Sequence, residues 1–252
     1  MRITIITVCY NCKDDIESTI LSVINQTHQN IEYIIIDGGS TDGTLKVIKK
    51  YLNKINMLVS EPDKGIFDAM NKGLMHATGE WVNFMNAGDE FHDFFVLEKI
   101  FSTTDHNGIG ILYGSTRSNN SILQPDKLNS LKYGGIMACH QSIFYNREVC
   151  GGELFYKTEH KHYGDIELTR RLYIKGVPFK QVNVTIANYK GGGFSSIISL
   201  VARKAKFSYL YQNFGLLGIF YGIVGKGYFL YQKYLNSIND IYSKATTYEK
   251  RN

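Results

Sequence analysis

The sequence predicts an α/β fold in which a mostly parallel central sheet carries helices on both faces, with a helical tail appended. Three observations lead there. Apolar, β-branched runs alternate with helix-periodic segments through the first hundred residues. The runs are near-continuously apolar, as strands buried on both faces require. Composition then shifts near residue 197, where aromatic, basic, helix-like stretches begin and run to the end.

The elements follow in order. Ile3–Val8 reads as a strand, and Asp14 or Asp15 can cap a helix with Ile16, Ile20, Val23 and Ile24 on one face. Ile31–Ile36 is a second strand, ending at Asp37 before the polar turn Gly38-Gly39-Ser40-Thr41-Asp42-Gly43. Thr44–Leu52 reads as a helix, Met57–Ser60 as a third strand, Phe67–Ala77 as a helix and Trp81–Met85 as a fourth strand. Beyond Ile109 the order is less regular. Ile111–Ser115, Gln141–Tyr145 and Val182–Tyr189 read as strands and Tyr163–Ile174 as a helix. Asn11, Asp37 and Asp89 stand at or just after strand ends, where open α/β sheets place their ligands.

Composition narrows the function classes. The chain has 252 residues, 44% hydrophobic and 20% charged, with only 3 prolines, which excludes disordered, collagenous and linker-like proteins. Met1-Arg2 followed by Ile3–Val8 is too short for a secretory signal, so the chain is expected in the cytosol. Cys9 and Cys12 have C-x-x-C spacing, but Cys139 and Cys150 flank a predicted strand and form no second pair of that kind. Reduced cysteines fit this pattern better than a zinc site. A dinucleotide fold would need G-x-G-x-x-G after the first strand, and the residues there are Thr7-Val8-Cys9-Tyr10-Asn11.

Several segments carry a resemblance. The first strand ends in Thr7-Val8-Cys9-Tyr10-Asn11, and the second in Asp37-Gly38-Gly39-Ser40-Thr41-Asp42. Glu61-Pro62-Asp63-Lys64-Gly65-Ile66-Phe67-Asp68-Ala69-Met70-Asn71-Lys72-Gly73 and Ala77 through Asn86-Ala87-Gly88-Asp89 follow. In this order they resemble the family 2 glycosyltransferases of the GT-A fold, whose Rossmann-like half binds a nucleotide. His140-Gln141-Ser142 and Gly191-Gly192-Gly193-Phe194-Ser195 are similar to the bacterial branch that builds capsule, O-antigen and colanic-acid-type polysaccharides. The resemblance covers about residues 3–195.

The resemblance implies roles. Thr7, Tyr10, Asn11 and Asp37 would line the nucleotide, with Asp37 accepting from the uracil imide. Asp63 and Lys64 would lie near base and phosphates, Asp68 and Asn71 near ribose or sugar, and Asn86, Ala87 and Gly88 along the donor. Asp89 would hold Mn2+ or Mg2+ against the diphosphate. The family usually has two aspartates in this motif, and here only Asp89 remains as a carboxylate. Asp165, within Asp165-Ile166-Glu167-Leu168-Thr169-Arg170-Arg171-Leu172, would be the base of a single inverting displacement. Glu167 is the neighbouring alternative, about 200° around the helix. His140, Gln141 and Arg170 would stand on the acceptor or donor-sugar side; a structural role for each remains open. His160 and His162 read better as solvated loop residues than as metal ligands, and the triple glycine either cradles phosphate or connects elements.

The charge is divided along the chain. Residues 1–196 hold 20 Lys/Arg and 21 Asp/Glu, a net of −1, whereas residues 197–252 hold 8 against 2, a net of +6. The first stretch is read as the catalytic domain and the second as a basic aromatic tail. The uncharged run 207–225 is interrupted by Ser208, Gln212, Asn213 and glycines, which suits an interfacial segment on anionic lipid better than a span. Packing on the domain, or on a second subunit as a homodimer, is the alternative. The resulting expectation is an inverting transferase, peripheral on the cytoplasmic face of the inner membrane. It would use a nucleotide-sugar donor and a lipid-diphosphate-linked saccharide acceptor. A non-catalytic nucleotide-sugar-binding scaffold is the alternative, and nucleic acid is not an expected partner, since no such module is present.

Overall fold

The computed structural model describes residues 1–191 apart from 104, 134, 136 and 160–162, and, beyond 191, only residues 211, 215, 216 and 220. The expectations for Gly192–Ser195, for His160 and His162, and for nearly all of the tail therefore lie outside the described residues. Among the described residues, no helix is long and apolar enough to cross a membrane.

Strands β1 (Ile3–Cys9), β2 (Ile31–Asp37), β3 (Met57–Ser60) and β4 (Trp81–Phe84) pair in parallel in the order β3-β2-β1-β4. Their alternation sorts the core. Ile3 and Ile5 of β1 pack with Tyr33 and Ile35 of β2 under helix α1 (Ile16–Ile24), while Ile6, Val8, Ile34 and Ile36 face helix α3 (Ile66–His76). Helix α2 (Thr44–Ile48) is shorter than expected, because the chain tightens into a 3-10 turn over Lys49–Lys54.

The second half is mixed rather than parallel. After β5 (Glu90–Phe91) and α4 (Val96–Thr103) come β6 (Ile111–Ser118) and β7 (Ser121–Leu123). β8 (Ile143–Asn146) enters antiparallel between β4 and β6, and is followed by the single turn α5 (Arg147–Cys150). Helix α6 (Gly164–Ile174) leads to β9 (Phe179–Tyr189), which pairs in parallel with β6 and antiparallel with β5. The strand expected from Gln141 begins only at Ile143. His140–Ser142 forms a 3-10 turn, and the Gln141 carbonyl accepts from the Asn83 side chain rather than from a ladder partner. Helix α4 was not legible as an element in the sequence, yet its Val96, Leu97, Ile100 and Phe101 complete the core on the α1 face.

Candidate active site

Because β1, β2 and β4 are parallel, their carboxyl ends share one edge, and the loops there interlock. Asn11 takes a left-handed backbone (φ 47°). Its amide N–H donates to Ser40 Oγ (2.8 Å), and its side-chain oxygen accepts from Thr41 N (2.9 Å). Asp42 accepts from Lys13 N (3.0 Å), Thr44 N (2.9 Å) and Thr44 Oγ1 (2.6 Å). The Thr44 hydroxyl, followed by the Lys13 amide, holds the Asp42 carboxyl down at about 2. These bonds weld the β1–α1 and β2–α2 loops into one rim.

Asp37 and Thr7 lie beneath that rim rather than on it. Asp37 is 0% exposed, and its carboxylate accepts from the Ser40 amide and hydroxyl, from Ser60 Oγ (2.7 Å) and from Cys9 Sγ (3.7 Å). Thr7 is also 0% exposed, with its hydroxyl on Met85 O (2.8 Å) and against Tyr33 Oη (3.1 Å), so it does not reach the ligand edge as expected. The reachable acid here is Asp63. A Cβ on Gly38 would collide with Asp63 Oδ2 and lie 3.4 Å from the ring of Tyr10, which is 64% exposed. Gly38 thus lets Asp63 and Tyr10 close over the turn. The four cysteines are free thiols.

The Glu61–Gly73 segment is largely self-braced. Asp68 accepts from Lys64 N (3.0 Å), while Lys72 Nζ binds Glu61 (2.7 Å) and Pro62 O (3.0 Å). Asn71, expected near ribose or sugar, has both amide groups committed to the Tyr156 backbone, donating to its carbonyl and accepting from its amide at 2.8 Å. Lys64 keeps an exposed side chain.

Two carboxylates stand further along the rim. The backbone turns at Gly88 (φ 98°), with Asp89 N on Asn86 O (3.0 Å) and Gly88 N on Thr19 Oγ1 (2.9 Å). Ala87 N is bonded to Val8 O (3.2 Å). Asp89 is 7% exposed; Gln141 Nε2 donates to its Oδ2 and Lys190 N to its Oδ1 (3.2 Å). Burial pushes the Asp89 carboxyl up, against the pull of Gln141 and His140. Gln141 therefore orients the expected metal ligand. Among the described residues, no group of three or more His, Cys, Asp or Glu side chains surrounds a cation position. One carboxylate suits a hard cation whose remaining ligands are donor phosphates and water.

Asp165 sits in the first turn of α6, beyond the cap position at Tyr163. Its side chain is 37% exposed, with Oδ2 facing His140 Nδ1 at 3.4 Å. Its Oδ1 is buried without a well-formed hydrogen bond, as are the hydroxyls of Tyr145 and Tyr156. Burial, and then the Asp165 charge, push both tyrosines well up, so they remain neutral donors. Glu167, the alternative base, is tied instead to Arg171 (2.9 Å) and Lys157 (3.2 Å), and Arg171 also binds Glu153 (3.0 Å). Arg170, half-buried, lies one residue before Arg171 on α6. Nothing in the sequence pointed to Tyr145 or Tyr156.

Comparison with known proteins agrees with this architecture. Residues 4–183 match the model of glycosyl transferase family 2. The chain is 27% identical over 195 residues to a PGL/p-HBAD biosynthesis glycosyltransferase of Mycobacterium bovis, covering 70% of this chain and 72% of that one. It is 37% identical over 92 residues to the putative teichuronic acid biosynthesis glycosyltransferase TuaG of Bacillus subtilis, covering 35% and 36%. Among solved structures it resembles S. aureus TarS 1-349 in complex with UDP-GlcNAc (TM-score 0.69, 19% identity, covering 86% of this chain and 65% of that one). It also resembles the mannosyltransferase PcManGT from Pyrobaculum calidifontis, in complex with GDP-Man and Mn2+ (TM-score 0.61, 20% identity, covering 75% and 56%). The chain thus spans less than two thirds of each of these two structures, and likeness at this identity concerns the fold.

Proposed function

We propose that this chain, which belongs to glycosyl transferase family 2, is an inverting transferase. It would move a sugar from a UDP-sugar to a hydroxyl of a lipid-diphosphate-linked saccharide in bacterial surface-polysaccharide assembly. One observation carries the reading: adjacent residues join the two acids that such a displacement needs. His140 faces Asp165, and Gln141 holds Asp89.

In this reading the nucleobase lies between Tyr10 and Asp63, and Asp63 rather than Asp37 accepts from its imide. Asp37 shapes the turn beneath. Asp89 would hold a divalent cation, Mn2+ or Mg2+, which when bound neutralises charge on the leaving diphosphate. Asp165 accepts the proton of the acceptor hydroxyl as that oxygen attacks the anomeric carbon. The bond to the diphosphate breaks and its electron pair stays on the phosphate oxygen. The basic tail would keep the enzyme on the cytoplasmic face of the membrane, near a lipid-borne acceptor.

The direct test is Asp165→Asn. Thermal shift with Mn2+ across a set of nucleotide sugars first identifies the donor. The variant is then expected to bind that donor as wild type does and to lose transfer by about 10²–10⁴-fold. Near-normal transfer would overturn the assignment.

A further inference from the structure

We propose that His140 is a positioning residue for Asp165, held by Asn86 as the neutral tautomer that carries its proton on Nδ1. The inference rests on the reading of Asp165 as the base. The Asn86 Nδ2 group stands 2.9 Å from His140 Nε2. An amide NH2 can only donate, so Nε2 is the accepting, unprotonated nitrogen. The single ring proton of the neutral imidazole is then on Nδ1, which faces Asp165 Oδ2 at 3.4 Å. This contact is expected to tighten to hydrogen-bond length in the reacting complex.

The other half of Asn86 extends the argument. Its Oδ1 is buried and has no hydrogen-bond partner. With Nδ2 committed to His140, the amide fixes the ring, and the ring aims the carboxylate.

The chain also gives Asn86 a chemical reason to be an amide. A carboxylate at this position would demand a proton on Nε2. A neutral ring would then turn a bare Nδ1 lone pair toward Asp165, and a charged ring would stand between two carboxylates and lower the basicity of Asp165. Asparagine avoids both. The inner Asp165 oxygen, enclosed with the Tyr145 and Tyr156 hydroxyls, leaves Oδ2 to meet both His140 and the acceptor.

The test is the nitrogen spectrum of the imidazoles in the full-length chain, uniformly 15N-labelled at pH 7.5, with His140→Gln used to assign the resonance. The expected result is a protonated Nδ1 and an unprotonated Nε2 at His140. Asn86→Asp is expected to move the proton to Nε2 or to protonate both. A wild-type ring already protonated on Nε2, or a ring unchanged by Asn86→Asp, would overturn the proposal. This readout needs no turnover, so it is independent of the Asp165→Asn experiment. With the donor identified, His140→Gln is expected to lower kcat by roughly tenfold or more, part of what a positioned base contributes. Donor KM should stay within about twofold, as expected when only the transition state loses an interaction. An unchanged kcat in a folded His140→Gln enzyme would equally overturn it.

Discussion

Gly164→Ala is the perturbation that the structure makes most quantitative. A Cβ at this position would lie 2.7 Å from Phe67 Cε2 and Cζ and 2.9 Å from Cδ2. Carbon atoms prefer separations of about 3.5–4.0 Å, so ring or helix must move by roughly 1 Å. The ring has little freedom: Phe67 is buried and stacks on Tyr156 at 4.9 Å between centroids, with 15° between the planes. Overpacking of this kind costs about 1–3 kcal/mol. For a domain of this size that lowers Tm by roughly 2–12 °C. The displaced element is the start of α6, and the next residue is Asp165. A shift of about 1 Å in a catalytic group is worth up to 10²-fold in rate. The assay is a denaturant melt beside transfer kinetics for Gly164→Ala, Phe67→Leu and the double variant. The smaller Phe67 side chain should recover part of both losses, giving a coupling energy of about 1 kcal/mol. A Gly164→Ala protein with wild-type stability and turnover, or strictly additive variants, would show that the Phe67 contact does not position the start of α6.

Two further predictions concern the rim. Asp89→Ala should abolish the part of nucleotide binding that depends on Mn2+, measured by calorimetry with and without chelator; equal affinities for wild type and variant in both conditions would remove Asp89 from that role. Asp42 is depressed from the ordinary 3.8 to about 2, so its contribution to stability is complete above about pH 3.8 and is lost as pH falls toward 2. Acid melts of wild type and Asp42→Asn should therefore converge across that window, and a stability gap that stays constant through it would contradict the assignment.

The first half of the fold was legible because its signals are local. Apolar runs, helical periodicity and turn residues place β1 through β4 and α1 through α3 to within a few residues. The second half hides its logic in distant pairings. The strand beginning at Ile143 cannot be timed from sequence, because what ends the turn before it is Gln141 reaching Asp89 and Asn83 reaching back.

The site divides in the same way. Asp89 and Asp165 are joined through the neighbours Gln141 and His140, and Tyr10 and Asp63 flank Gly38. Thr7, Asp37 and Asn71 are turned inward by partners distant in sequence: Met85 and Tyr33 hold Thr7, Ser60 holds Asp37 at the end of β2, and the Tyr156 backbone holds Asn71 on α3. Glu167 and Asp165 are two residues apart with the same chemistry. Contacts from elsewhere in the chain separate them: Arg171 and Lys157 tie down Glu167, while His140 faces Asp165.

A single displacement assisted by one carboxylate inverts the anomeric carbon. The measurement that meets it most directly is the anomeric configuration of the transferred sugar, read by proton NMR on the product made from an α-linked UDP-sugar. A β-linked product is expected. An α-linked product would contradict a single displacement.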